Sequence, residues 1–143
     1  MKNKFTLSCS YLLFALICAG ERVSLWPDGK IPDFQHQQIA ATTKEVKQAG
    51  FKREEHTMPY IEWFDATTEK NGACMLLISG GGYKNCCDWW WIEKVAKKFT
   101  NLGYVCVSLT YRTPRPLGLP IYQSGWQDGQ RAVRLVRQSA KKR

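Results

Sequence analysis

The sequence predicts an α/β protein, and three observations carry that expectation. Ala73-Cys74-Met75-Leu76-Leu77-Ile78 and Tyr104-Val105-Cys106-Val107-Ser108-Leu109 are almost unbroken apolar runs. Runs without alternation suit strands buried on both faces, as a parallel sheet provides. Between them lie a glycine loop and a segment of helical periodicity, so the order is strand, loop, helix, strand: one βαβ unit with a right-handed crossover.

The elements follow in chain order. Met1-Lys2-Asn3-Lys4 is a basic start, Phe5–Ala19 carries no charge, and small residues Cys18, Ala19 and Gly20 precede the charged pair Glu21-Arg22. This is the pattern of a secretory signal peptide over 1–20, with cleavage after Ala19 or Gly20. The apolar run falls short of the roughly 20 residues of a membrane span, and bulky Leu16 and Ile17 argue against lipid attachment at Cys18. Residues 21–143 are then one domain in a secreted or periplasmic protein. From Val23 to Gln38 the chain reads as irregular, with turn chemistry at Trp26-Pro27-Asp28-Gly29 and Ile31-Pro32-Asp33. Ile39–Phe51 is weakly helical, and aromatic Tyr60–Phe64 is a short strand. Asp88 can cap a helix to about Asn101, with Trp91, Ile92, Val95, Ala96, Phe99 and Leu102 on its apolar face and Gly103 ending it. Thr113–Pro120 is a proline-rich loop. Ser124 with Gln127 has capping-box spacing, and the helix that follows places Trp126, Val133, Val136 and Ala140 near one face.

Composition narrows the function classes. The 143 residues are 44% hydrophobic and 23% charged, which excludes a disordered or low-complexity chain. A net charge of +9 brings acidic partners into consideration, although export argues against nucleic acid. Four cysteines follow the leader. Cys74 and Cys106 read as buried thiols, and Cys86 and Cys87 sit in a polar loop where a link to each other or to another chain stays open. The pair is not Cys-x-x-Cys, so thiol redox chemistry is weakly supported.

Ser79-Gly80-Gly81-Gly82-Tyr83, directly after a buried strand, is the most informative stretch. Three consecutive glycines cost backbone entropy. The spacings of a phosphate loop and of a dinucleotide loop are both absent. A plain turn remains, as does an oxyanion hole, in which backbone N–H groups meet the negative oxygen of an acyl-transfer intermediate.

Four segments together resemble the N-terminal half of the α/β-hydrolases, in the secreted esterase and acetylxylan-esterase-like branch. Leu25-Trp26-Pro27-Asp28-Gly29 resembles that branch's first segment, and Ser79–Tyr83 stands in the place of its His/Pro-Gly-Gly-Gly-Trp/Tyr motif. Leu109-Thr110-Tyr111-Arg112 resembles its Asn-Tyr-Arg strand ending. Asp128–Arg137 resembles the Asp-Ala-x-Arg-Ala-Val-Arg helix before the nucleophile strand. The departures are Ser79 in place of histidine or proline, and the tryptophans 89–91. The resemblance implies a mostly parallel sheet flanked by helices, truncated before the nucleophile strand. It implies a carboxylic-ester hydrolase of the serine-esterase type, with no cofactor and no metal. Its substrate is a small-molecule or polysaccharide ester, acetylated polysaccharide included. Gly81 and Gly82 become the oxyanion donors and Tyr83 a wall of the acyl pocket.

The catalytic triad is missing. No Gly-x-Ser-x-Gly occurs in the 143 residues, and His36 and His56 precede the glycine loop, whereas the family's base comes last. An oxyanion hole and binding alone leave about 10³–10⁴-fold catalysis, against about 10⁶-fold or more for typical enzymes. The expectation is a truncated or degenerate copy, inactive by itself, with apolar surface open to self-association. The alternative is a non-catalytic basic module that binds acidic polymer or an anionic surface through Arg131, Arg134, Arg137, Lys141, Lys142 and Arg143; a solvated helix face explains the same stripe.

Overall fold

A computed structural model describes residues 20–34, 58–84, 86, 89–114 and 118–143. The leader over 1–19, His36, His56, Cys87 and Asp88 lie outside the described residues. Four strands and two helices follow in the order β1 (Glu21–Ser24), β2 (Tyr60–Phe64), β3 (Cys74–Ile78), α1 (Trp89–Thr100), β4 (Val105–Thr110) and α2 (Gln123–Ser139). No helix among the described residues is long and apolar enough to cross a membrane.

The strands form one sheet in the order β1-β2-β4-β3. β3 and β4 pair in parallel across α1, as the βαβ reading requires. β1–β2 and β2–β4 are antiparallel, so the expectation of a mostly parallel sheet is corrected. The reason is chain length. Residues 65–73 link β2 to β3, fewer than the dozen or so that a parallel crossover needs. Instead this link passes over the start of β4 and is held there, with Thr67 N donating to Thr100 O at 3.1 Å and Asn71 N to Gly103 O at 3.0 Å. Val23 and Ser24, expected to be irregular, belong to β1 and pair with Ile61 and Tyr60.

The helices cover opposite faces, because strand side chains alternate. Ile92 and Ala96 of α1 pack on Phe64, Leu77 and Cys106. Ala132, Leu135 and Val136 of α2 pack on Ile61, Trp63, Leu76, Val107 and Leu109. Trp91 and Leu102, expected on the buried side of α1, are exposed.

The buried side of α2 also differs from the expected one. Trp126, Val133 and Ala140 face outward, and Ser124, Asp128 and Ala132, four residues apart, face inward. A buried aspartate is tolerable only with a partner, and Asp128 has Arg112. The expected capping box does not form either. Tyr122 precedes the first helical residue without a side-chain cap, Ser124 lies within the first turn, and its buried hydroxyl meets no partner among the described residues. Gln127 turns instead to Arg112 Nη2 at 2.9 Å and Asp33 Oδ2 at 2.7 Å.

Cys106 is buried as expected, and burial together with nearby Cys74 pushes its thiol up to about 11. Cys74 is exposed, a correction that follows from its place on the open edge of the sheet. Cys86 is half-buried, its thiol donating to Tyr111 O at 3.4 Å. The basic stripe is divided. Arg131 donates to Leu25 O at 3.0 Å and lies over Trp26, while Arg143 pairs with Glu21 and Asp65 and lies over Trp63. Arg134, Arg137, Lys141 and Lys142 are exposed.

Among the described residues β3 is an edge strand. Val105 N donates to Ala73 O, so in parallel register residues 73, 75 and 77 turn their backbone groups toward β4. Cys74, Leu76 and Ile78 therefore turn theirs outward. Cys-Met-Leu-Leu-Ile has no charge and no proline to guard that edge, and Ile78 is 52% exposed.

Candidate active site

Because β3 and β4 run in parallel, their carboxyl ends lie at the same margin of the sheet. Ser79–Tyr83 leaves one end and Tyr111-Arg112 the other, and the first turns of α2 close the third side. Between them is a cavity of about 390 Å³, within the range of small-molecule sites. Its lining includes loop residues 79–83, Ile78, Leu109 and Tyr111, with Gly125, Trp126 and Gly129 from α2. None of these side chains is charged.

The loop is a tight turn with unusual backbone. Lys84 N donates to Gly81 O at 3.1 Å, and the two residues between have positive φ, 59° at Gly82 and 61° at Tyr83. Positive φ at both central positions is the type I′ arrangement, which favours glycine. Gly81 has φ 136°. These angles explain glycine at 81 and 82 but not at 80, where φ is not positive and a Cβ would meet nothing within 4 Å. Among the described residues, neither the Gly81 nor the Gly82 amide donates a hydrogen bond to a protein group.

Tyr83, a non-glycine residue in the left-handed region, carries strain of about 1–3 kcal/mol. Its ring stands edge-on to Tyr111 at 6.1 Å and 62°. The same ring rests on α2: a Cβ at Gly125 would lie 3.1 Å from Tyr83 Cε1 and 3.2 Å from Cδ1. Gly129, one turn further, faces open space. Glycine inside a helix costs about 1 kcal/mol relative to alanine. At Gly125 the ring explains that cost; at Gly129 nothing in the structure does.

A buried ion pair joins two of these sides, the end of β4 and α2, to the N-terminal segment. Arg112 Nη2 lies 2.9 Å from Asp128 Oδ1, with both side chains fully buried. Arg112 Nε donates to Asp128 at 3.0 Å and the Arg112 backbone N–H at 2.8 Å. Trp26 Nε1 donates to Asp128 Oδ1 at 3.1 Å, and Arg112 Nη1 donates to Pro32 O. Three of the four segments that carried the resemblance thus meet at one point. The fourth, the glycine loop, reaches them through Tyr83, Tyr111 and Gly125.

The residues singled out in the sequence are placed as follows. Gly81, Gly82 and Tyr83 lie together on the cavity. Ser79 lines it but is buried, and Ser124 does not line it. Both histidines fall outside the described residues. Gly125 and Tyr111 were not recognised as parts of the site; a signal for Gly125 was two glycines, 125 and 129, in an otherwise helix-forming segment.

No family model matches the chain, and no curated protein matches it. Among solved structures, an acetyl ester-xyloside bifunctional hydrolase from Caldicellulosiruptor lactoaceticus superimposes with a TM-score of 0.58 at 22% identity, over 90% of this chain and 39% of that one. The likeness is one of fold. This chain therefore spans about two fifths of that hydrolase. A protein described as a carboxylesterase from Lactobacillus plantarum aligns over 59% of this chain and 33% of its own at 18% identity, with a TM-score of 0.44.

Proposed function

We propose that this chain is the oxyanion side of a carboxylic-ester hydrolase of the serine-esterase type, acting on a small-molecule or polysaccharide ester. One observation carries the reading: two unbonded amides, at Gly81 and Gly82, border an uncharged cavity at the carboxyl margin of parallel strands. Such donors stabilise charge that develops on a carbonyl oxygen during acyl transfer, and they do so best away from water and fixed charge. Tyr83 and Tyr111 wall the acyl side. No Gly-x-Ser-x-Gly in these residues supplies an attacking serine. The chain's own contribution is electrostatic.

With p-nitrophenyl acetate the full chain is expected to show at most weak turnover that a serine-reactive phosphonate does not inhibit. Robust turnover abolished by the phosphonate contradicts the reading. We also propose export with removal of residues 1–20, which the N-terminal mass of protein recovered outside the cytoplasm tests.

The open β3 edge supports self-association. Sedimentation velocity is expected to give a mass that grows with concentration, and Cys74→Lys, which places a charge on the edge, is expected to reduce that growth. A monomer at all concentrations contradicts this.

A further inference from the structure

We propose that Gly125 is a positioning residue for the oxyanion loop: having no side chain, it lets the Tyr83 ring rest on α2, and that contact aims the Gly81 and Gly82 amides into the cavity. The inference rests on the ester-hydrolase reading and extends it to a helix that carries none of the donors.

Tyr83 is the weak point of the turn. A left-handed backbone at a residue with a side chain persists only where the surroundings enforce it. The Gly81–Lys84 hydrogen bond closes the turn but does not choose its hand, because a turn with negative φ values closes equally well. The ring makes the choice. It is held between Tyr111, at a centroid distance of 6.1 Å, and the Cα of Gly125, where a Cβ would come within 3.1 Å of its edge. Moving the ring off α2 lets Tyr83 relax to negative φ. Closing the same turn with negative φ then changes φ at Gly82 as well, which rotates the peptide between Gly81 and Gly82, the one that carries the Gly82 N–H, and turns the loop amides away from the cavity.

Neither φ nor helix propensity calls for glycine at 125. Its φ is not positive, and glycine weakens a helix interior. An alanine Cβ there would sit 3.1 Å from Tyr83 Cε1 and 3.2 Å from Cδ1, so the ring must give by a few tenths of an ångström, with Tyr111 Cδ2 in contact at 3.4 Å. The ring acts through its shape, since no described group bonds the Tyr83 hydroxyl.

The test is a titration of the ¹⁵N-labelled full chain with methylphosphonate, a tetrahedral anion carrying one methyl group. In the parent protein the Gly81 and Gly82 amide protons are expected to move downfield together and saturate. Tyr83→Phe, which keeps the ring, retains this response. Gly125→Ala and Tyr83→Ala weaken it about tenfold or more while their melts stay cooperative, as loss of a hydrogen bond to a charged group predicts. Gly129→Ala raises the melting temperature, which separates the effect of the ring from that of alanine in the helix.

If the parent responds and Gly125→Ala and Tyr83→Ala respond equally well, the positioning role is overturned and the hydrolase reading stands. If the parent does not respond, the hydrolase reading fails and the inference falls with it. Should either alanine variant not fold, NOEs between the Tyr83 ring protons and Gly125 Hα decide in the parent protein: their presence supports the clamp and their absence contradicts it.

Discussion

Replacing Asp128 with alanine is expected to remove about 3–5 kcal/mol of stability, the range for breaking a buried ion pair from one side. The loss is large because the pair is fully buried and its partners are many. Without the carboxylate, the Arg112 guanidinium keeps its contacts with Pro32 O, Ser124 O and Gln127 Oε1, but its charge has no counterpart. Trp26 Nε1 and the Arg112 backbone N–H lose their acceptors as well. Against a typical domain stability of about 5–15 kcal/mol, this is a large fraction of the total. Urea denaturation followed by tryptophan fluorescence measures it. Removing the charge on both sides, with Arg112→Met and Asp128→Leu together, is expected to recover only part of the loss, because the Pro32 and Ser124 carbonyls then lack their donor. Full recovery would show that the cost of Asp128→Ala is the unpaired buried charge of Arg112 and not the loss of the wider network.

Gly103→Ala is expected to cost several kcal/mol for a different reason. Gly103 ends α1 with φ 85°, and its amide donates to Thr100 O at 3.1 Å, the usual way a helix stops at glycine. A side chain in that conformation costs about 1–2 kcal/mol by itself. Here the added Cβ would also fall 2.4 Å from Glu69 O, a backbone atom in the link between β2 and β3. That link is anchored to the same turn by the hydrogen bond from Asn71 N to Gly103 O. It can retreat only by giving up this bond, so strain and clash add. The thermal midpoint of Gly103→Ala should fall well below that of the parent. Gly72→Ala, which has positive φ but no neighbour within 4 Å, should show the conformational cost alone.

What the sequence made legible was local. β3 lies between Gly72 and Gly80, and Gly103 separates α1 from β4; all three occupy the expected stretches, although β3, expected to be buried on both faces, is exposed at Cys74 and Ile78. The antiparallel half of the sheet was not legible, because β2 pairs with β4, more than forty residues away, and no local pattern states direction. The buried side of α2 was misread for the same reason. Asp128 looks like a solvent residue until Arg112, sixteen positions earlier, is seen to neutralise it. The capping box failed because Gln127, which would have completed it, bonds Arg112 and Asp33. In the candidate site, the glycine run announced a special backbone. The left-handed Tyr83 and its seat on Gly125 are tertiary facts that no spacing reports.

A crystal structure of the protein soaked with methylphosphonate decides whether these two amides are oxyanion donors. A phosphonate oxygen is expected within about 2.7–3.1 Å of both the Gly81 and Gly82 nitrogens, the distance required of oxyanion donors, with the methyl group turned toward Tyr83 and Tyr111. An anion bound elsewhere, or those two amides bonded to protein carbonyls, would contradict that role.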